Sequence, residues 1–453
     1  MKGVTPSASN ASYRSRPVDL VIEGGTVLTM VKDEAPIENG CVHISGNRIV
    51  EVSRGRSVPG KSDGSAEVID ARQGIVMPGL VNAHVHAAMT LFRGMADDLP
   101  LKQWLFDKIF PAEAEHLCPE TVYWGALLGF LEMIMSGTTC FAEGYFFQDE
   151  TFRAARLAGL RGLIAQGVID LPAPDLADPR ENLRHAKEFL ERWTGTSDRL
   201  DPGIFCHSLV TCSRRTLESA WEISRGFQSP MQIHLSETAE EVREVMENTG
   251  KRPVLYLDAL GLMKPGLIAA HAVHLDEKEM VCMGECGAGA VHVPESNMKL
   301  ASGVAPVARM RQKGIPLGLG TDGCSSNNNL DLFEEMDTAA KSSKVFSRDP
   351  LGLDAKTVLR MATVEGAAVL GLEREIGTLE PGKKADIIVV DLNKPHLCPV
   401  FDPYSLLVYS ASGADVNDVV VNGEILLRDR VPKTVDPEEV MAKVREAAEK
   451  ISR

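Results

Sequence analysis

A few polar residues in this chain stand where they could share one metal ion. His84 and His86 are two apart in Val81-Asn-Ala-His-Val-His. On an extended backbone, residues i and i+2 point the same way, so both imidazoles can face one point. His234 closes the apolar run Met231-Gln-Ile-His-Leu, and Glu237 follows three residues later. His271 closes Leu267-Ile-Ala-Ala-His, and Asp322 closes Leu317-Gly-Leu-Gly-Thr-Asp. Three imidazoles and one carboxylate form a nitrogen/oxygen set suited to Zn²⁺ or another divalent transition metal, with a position open to water. Such an ion lowers the pKa of bound water towards 7 and permits hydrolysis at neutral pH. Glu237, beside His234, is then placed to carry a proton.

For these groups to meet, the elements that carry them must end at one face. Short apolar, strand-like runs near 75–77, 162–169, 231–235, 267–271, 290–293 and 316–322 alternate with helical stretches such as 181–193, 238–248 and 355–370. Such alternation over roughly 300 residues implies a parallel sheet, and the length suits a (β/α)₈ TIM-type barrel, whose strand C-termini all meet at one face. A doubly wound open sheet is the alternative, but no GxGxxG follows an early strand. Five polar groups that end apolar strands are hard to explain by packing, because burying them unpartnered costs several kcal/mol.

Gly- and Asn-punctuated β-rich runs flank this core at both ends of the chain. They predict a small antiparallel sheet over roughly 18–75 and a second set near 385–427, which together complete a small β-sandwich. The expected organisation is a disordered lead-in at 1–17, a composite β-sandwich domain from 18–75 and 376–453, and a metal-dependent catalytic barrel at 76–375. An amphipathic helix over 437–453 closes the chain.

Composition narrows the partners. Of 453 residues, 48 are Lys or Arg and 63 are Asp or Glu, a formal charge of −15. That balance argues against nucleic acid and against an anionic membrane surface, and leaves a nucleoside-sized ligand open. No apolar run reaches the roughly 18–20 residues of a membrane span, and no signal-peptide core stands at the N-terminus. Nine Cys with no CxxC pair fit reduced thiols and a cytoplasmic protein.

Taken together, Pro78-Gly-Leu-Val-Asn-Ala-His-Val-His, Ile233-His-Leu-Ser-Glu, Ala270-His-Ala-Val-His and Gly320-Thr-Asp-Gly resemble the signatures of the amidohydrolase superfamily, in its chain order. The segment Gly377-Thr-Leu-Glu-Pro-Gly-Lys-Lys-Ala-Asp resembles that superfamily's return to its small β-domain. Within it, His86-Ala-Ala-Met-Thr-Leu-Phe-Arg-Gly-Met, Phe110-Pro-Ala-Glu, Asn297-Met-Lys-Leu-Ala-Ser-Gly and Thr321-Asp-Gly-Cys-Ser-Ser most resemble the 5′-methylthioadenosine/S-adenosylhomocysteine deaminases.

The resemblance implies that His84, His86, His234 and Asp322 hold one divalent ion, zinc first, with iron(II) and manganese(II) tolerated by the same ligands. It implies that His271 hydrogen-bonds the attacking water, that Asp322 helps take its proton, and that Glu237 protonates a ring nitrogen as C6 of adenine is attacked. Ammonia then leaves an inosine-type product. Glu113 matches a carboxylate that binds ribose hydroxyls, and His207 a histidine near the substrate. Glu237 and Asp322 also touch the substrate, and the family's homo-oligomers are carried over as an expectation.

Departures from the family bear on the substrate's tail. Relatives that accept S-adenosylhomocysteine place an Arg where this chain has Gln166, which cannot form a charged fork with a carboxylate. Arg180 could serve instead. His207 is followed by Ser208-Leu209 rather than a small residue and Pro, and Glu143 stands where Asp is common. Losing a charged hydrogen bond costs about 1.5–3 kcal/mol, which favours adenosine, 5′-deoxyadenosine or 5′-methylthioadenosine. His274, His292 and Cys324 are assigned to structure and packing, and the position of the 92–111 loop suits a lid, while the sequence leaves open whether it closes over the substrate. Two competing readings are a deaminase or chlorohydrolase of another heterocycle (guanine, a pterin, an s-triazine) and a non-catalytic assembly subunit. The complete ligand set opposes the second.

Overall fold

Leu80–His86 is buried along its whole length, as a strand packed on both faces must be, and this first barrel strand explains the unbroken apolar reading of its neighbours. The computed structural model of the protein describes residues 17–55 and 66–451, so the expected lead-in at 1–17 lies almost wholly outside the described residues. Eight strands form the barrel: β1 (Leu80–His86), β2 (Thr138–Tyr145), β3 (Arg161–Val168), β4 (Leu200–Ser208), β5 (Met231–Leu235), β6 (Leu267–His271), β7 (Gly289–His292) and β8 (Leu317–Leu319). Each pairs in parallel with the next, and β8 pairs with β1 to close the ring. Asp322–Gly323, just past β8, adds a second parallel bridge to β1 at Val85 and His86.

Amphipathic helices surround the ring, among them Asn182–Trp193, Arg214–Phe227 and Ala239–Thr249. Their starts are capped by side chains: Ser213 accepts from the Thr216 amide and Thr238 from the Glu241 amide. The expected helix over 355–370 is two, Ala355–Met361 and Val364–Val369. The break falls at Thr363, whose φ/ψ of −133°/−100° leaves the helix while its Oγ1 bonds the Leu359 carbonyl at 2.7 Å.

The two flanking β regions form two sheets around a shared apolar layer. One has four strands in the order Arg48–Arg54, Gly40–Ser45, Leu20–Glu23, Glu67–Asp70. It is mixed rather than purely antiparallel, since Leu20–Glu23 and Glu67–Asp70 pair in parallel. The other has six strands, drawn from residues 26–78 and 387–432. Ile22, Val42, Ile44 and Ile69 of the first pack with Val76, Ile387, Val389 and Val420 of the second.

Ile75–Met77, read from sequence as a barrel strand, belongs to this second sheet. Gly74–Pro78 pairs antiparallel with Ile387–Asp391. The chain passes into the barrel through Gly79, where a Cβ would meet the Thr139 side chain at 2.1 Å, so only glycine fits that crossing. Sandwich and barrel are also joined by a buried fork: Arg161 Nε and Nη2 donate to Asp386 at 2.6 and 3.1 Å. The closing helix, Pro437–Ile451, packs on the barrel helix Pro119–Met135. Among the described residues, no helix is long and apolar enough to cross a membrane.

Candidate active site

The C-terminal ends of β1, β5 and β8 bring four side chains together. One donor atom from each of His84, His86, His234 and Asp322 lies within 4.8 Å of the others. Asp322 Oδ1 stands 3.2 Å from His86 Nε2 and 3.6 Å from His84 Nε2, and the Nε2 atoms of His86 and His234 are 3.3 Å apart. His86 Nδ1 donates to the Gly144 carbonyl at 2.5 Å, which leaves its Nε2 as the inward lone pair. Neither ring nitrogen of buried His84 has a hydrogen-bond partner among the described residues. Burial lowers the His84 pKa to about 4 and holds His234 well below its usual value. For Asp322, burial opposes ionisation, but the His84 and His86 imidazoles that face its Oδ1 outweigh it and hold the carboxyl well below its usual range. Three imidazoles, two of them held neutral by burial, and a carboxylate oxygen that face one point fit a divalent metal ion.

The residues around this cluster are held by tight local geometry. His271 and Asp322 sit at φ 70° and 63°, left-handed values that non-glycine residues rarely adopt and that gather at functional sites. His271 Nδ1 meets Asn297 Oδ1 at 2.9 Å, and its Nε2 lies 3.8 Å from Glu237 Oε2. Asp322 Oδ2 accepts from Ser296 and Ser326 at 2.7 and 2.9 Å, so Oδ1 is left to face the histidines. Glu241 accepts the Ser236 and Glu237 amides at 3.1 and 2.7 Å and fixes the turn that carries Glu237. Burial raises the Glu237 pKa, the direction a proton donor needs.

A cavity of about 540 Å³ opens over the cluster, lined by His86, His234, Glu237, His271 and Asp322 together with Glu113 and His207. Glu113 is no solvated helix face: it is 3 % exposed and accepts the Tyr145 hydroxyl at 2.5 Å. Burial raises its pKa to about 7. His207 Nδ1 bonds Thr211 Oγ1 at 2.8 Å, and burial lowers its pKa to about 4. Leu101, Trp104, Leu105, Phe106 and Phe110 form an apolar wall, and the stretch that carries them, read from sequence as part of a loop, is helical from Leu101 to His116.

Arg180 is the one expected substrate residue that the fold keeps away. It is absent from the cavity lining, its side chain is 86 % exposed, and its guanidinium forks onto Asp178 two residues back. The register of its own turn directs it there: Asp178 caps the short helix in which Arg180 lies. Gln166 turns its amide to Asp175 Oδ2 at 2.9 Å. His274, assigned to structure, does line the cavity wall, with Nε2 donating to the Ser302 carbonyl at 2.7 Å. Buried Cys324 packs in the core, as expected.

The family model described as the amidohydrolase family matches residues 75–426. The chain belongs to the amidohydrolase family. This amidohydrolase is 47% identical over 438 residues to a protein of Syntrophus aciditrophicus named 5-methylthioadenosine/S-adenosylhomocysteine deaminase 1, covering 96% of this chain and 98% of the relative. It is 45% identical over 435 residues to a 5'-deoxyadenosine deaminase of Methanosarcina mazei, again covering 96% and 98%. Among solved structures, an adenosine deaminase from Xanthomonas campestris with bound zinc superposes at a TM-score of 0.92, with 37% identity, over 96% of this chain and 99% of that one. With that family comes the catalytic class: the amidohydrolase is a metal-dependent enzyme, a hydrolytic aminohydrolase.

Sequence reasoning about this amidohydrolase missed the residues that hold the others in place. Asn297, Ser326, Tyr145 and Thr211 lie within family-like segments without a role of their own there, while Ser296 and Glu241 carry no signal. Each stands out only by the side chain or turn it holds in the fold, so residue type and spacing alone do not mark it.

Proposed function

We propose that this amidohydrolase removes the 6-amino group of adenosine derivatives, giving the inosine-type product and ammonia. The observation that carries the reading is a buried carboxylate, Glu113, facing the same cavity as the His84–His86–His234–Asp322 cluster. A carboxylate so placed suits paired ribose hydroxyls, which free heterocycles lack. Structural neighbours such as a triazine hydrolase, at 23% identity, share the fold alone.

His84, His86, His234 and Asp322 would hold one divalent ion, zinc first, whose Lewis acidity makes water a nucleophile near neutral pH. His271, locked by Asn297, directs its Nε2 at the attacking water. Asp322 takes a proton from that water, and Glu237 delivers one to the ring nitrogen next to C6 as the carbon becomes tetrahedral. The proton on Asp322 passes to the amino group, which leaves as ammonia, and the new hydroxyl's proton returns to Glu237 as C6 becomes a carbonyl. Glu113 and His207 hold the sugar end, and the apolar wall excludes bulk water.

The tail of the substrate is short in this reading. Among the described residues, Lys102 is the one Lys or Arg on the cavity lining, it stands exposed, and it is paired with Glu240 at 3.3 Å. With Gln166 neutral and Arg180 elsewhere, a homocysteine carboxylate lacks a buried cation. The test is ultraviolet-monitored deamination by zinc-loaded protein of adenosine, 5′-methylthioadenosine, 5′-deoxyadenosine and S-adenosylhomocysteine in parallel. Conversion of the short-tailed compounds with S-adenosylhomocysteine lagging is expected. Equal turnover of all four overturns the tail assignment, and turnover of none overturns the nucleoside assignment.

A further inference from the structure

Away from the cavity, the helix Glu277–Cys286 lies against the helix Pro253–Ala259. Cys282 and Cys286 are four apart on the first, so one face presents both thiols a turn apart. Asp258, near the end of the second helix, brings its carboxylate to the same point, with Oδ1 3.8 Å from Cys286 Sγ. One donor atom from each of the three residues lies within 4.8 Å of the others. None of the three lines the cavity.

We infer that Cys282, Cys286 and Asp258 form a second metal site, one for a thiophilic divalent cation such as Zn²⁺. Zinc bonds of about 2.3 Å to sulfur and about 2.1 Å to oxygen separate tetrahedral donors by roughly 3.5–3.8 Å. The Cys286–Asp258 separation already meets that range, and the remaining closure needs only side-chain rotation. Asp258 is exposed and the thiols half-buried, so water completes the coordination. Two metal–sulfur bonds form, and the two thiol protons pass to solvent.

The scaffold is set before the ion arrives. At their N-terminal ends the two helices are already tied by fully buried Glu279, which accepts the Val254 amide at 3.1 Å and Arg252 Nε at 2.7 Å. The three donors lie towards the opposite ends, so an ion there clamps the far end of the same helix pair. Fixed backbones on both sides reduce the ordering that binding requires.

The test uses the full-length enzyme, loaded with its active-site zinc and kept reduced with a non-chelating phosphine, titrated with Cd²⁺. The probe is the thiolate-to-cadmium charge-transfer absorbance, which the histidine and carboxylate donors of the active site cannot produce. One further equivalent is expected to raise this band to saturation, with about two protons released per ion. Cys282→Ser and Cys286→Ser should each abolish it while deamination is unchanged, and Asp258→Asn should weaken binding about tenfold. Absence of the band in the native enzyme, or its survival in the Cys282→Ser/Cys286→Ser protein, overturns the site, the latter by assigning the band to other thiols.

Discussion

The Tyr145 hydroxyl donates to Glu113 Oε1 at 2.5 Å across the wall of the cavity, joining the end of β2 to the helix Phe110–His116. Both partners are at least 95 % buried. The pair aims the Glu113 carboxyl, whose pKa burial raises while the Tyr145 hydroxyl opposes the rise.

Glu113→Gln is expected to lower kcat/KM for adenosine derivatives by ten- to a hundredfold, chiefly through KM, because a neutral amide accepts weaker hydrogen bonds. Stability should move the other way. With its folded pKa raised from 4.5 to about 7, Glu113 keeps a proton on folding that the unfolded chain releases, so stability falls as pH rises from about 4.5 to 7. The glutamine protein should therefore match or exceed the native stability at pH 8, by at most on the order of 3 kcal/mol, and lose that advantage below pH 4.5, as read from melting temperatures. A lower melting temperature at pH 8 than at pH 4, relative to native protein, would contradict this account.

Asn297 is expected to act on the reaction by holding His271 Nδ1. Removing the hydrogen-bond partner of a metal-ligating histidine typically costs ten- to a hundredfold, and a similar loss is expected for this water-directing one. Asn297→Ala should lower kcat by that factor with KM little changed, and Asn297→Asp, which still accepts from Nδ1, should recover part of it. Because His271 stands outside the four-donor cluster, bound metal should stay constant in both proteins. Loss of metal along with activity would reassign Asn297 to the ligand scaffold.

Chelation should abolish turnover and stoichiometric Zn²⁺ should restore it. Asp322→Asn and His84→Ala are expected to lose both metal and activity. Glu237→Gln should retain the metal and lose turnover by about 10²–10⁴-fold, the range of a general acid–base group. Metal analysis beside steady-state rates separates the two classes.

The Arg161–Asp386 fork carries stability rather than chemistry. Its side chains are 6 % and 2 % exposed, and Asp386 Oδ1 also accepts the Asn422 amide at 2.8 Å. Asp386→Ala leaves a buried guanidinium unpaired, which costs about 3–5 kcal/mol. Arg161→Met/Asp386→Leu should recover much of that loss, as read from urea unfolding. A double substitution no better than the single one would place the damage in sheet packing instead.

The four-donor cluster was legible in the sequence because its residues stand at or near the ends of apolar strands, so two local facts, a run and its terminator, point to it. Glu113 was legible only by resemblance: Phe110-Pro-Ala-Glu reads equally well as an exposed first turn, and burial decides against that. Arg180 shows the converse, since a plausible cation in a nearby loop is turned away by an aspartate two residues back. Ile75–Met77 reads as a barrel strand because its apolar run abuts β1, yet Gly79 divides the two and the run pairs more than 300 residues away with Ile387–Asp391.

The sequence by itself determined the (β/α)₈ barrel, the strand ends that carry His84, His86, His234, His271 and Asp322, and the family. Parallel strands buried on both faces must stay apolar until they reach the rim, so a polar residue at the end of a run signals the site. Tertiary structure alone decided what those residues lean on. Tyr145 meets Glu113 across 32 residues and Asn297 meets His271 across 26. Such pairings depend on helix register and loop path, which hydrophobic periodicity does not encode.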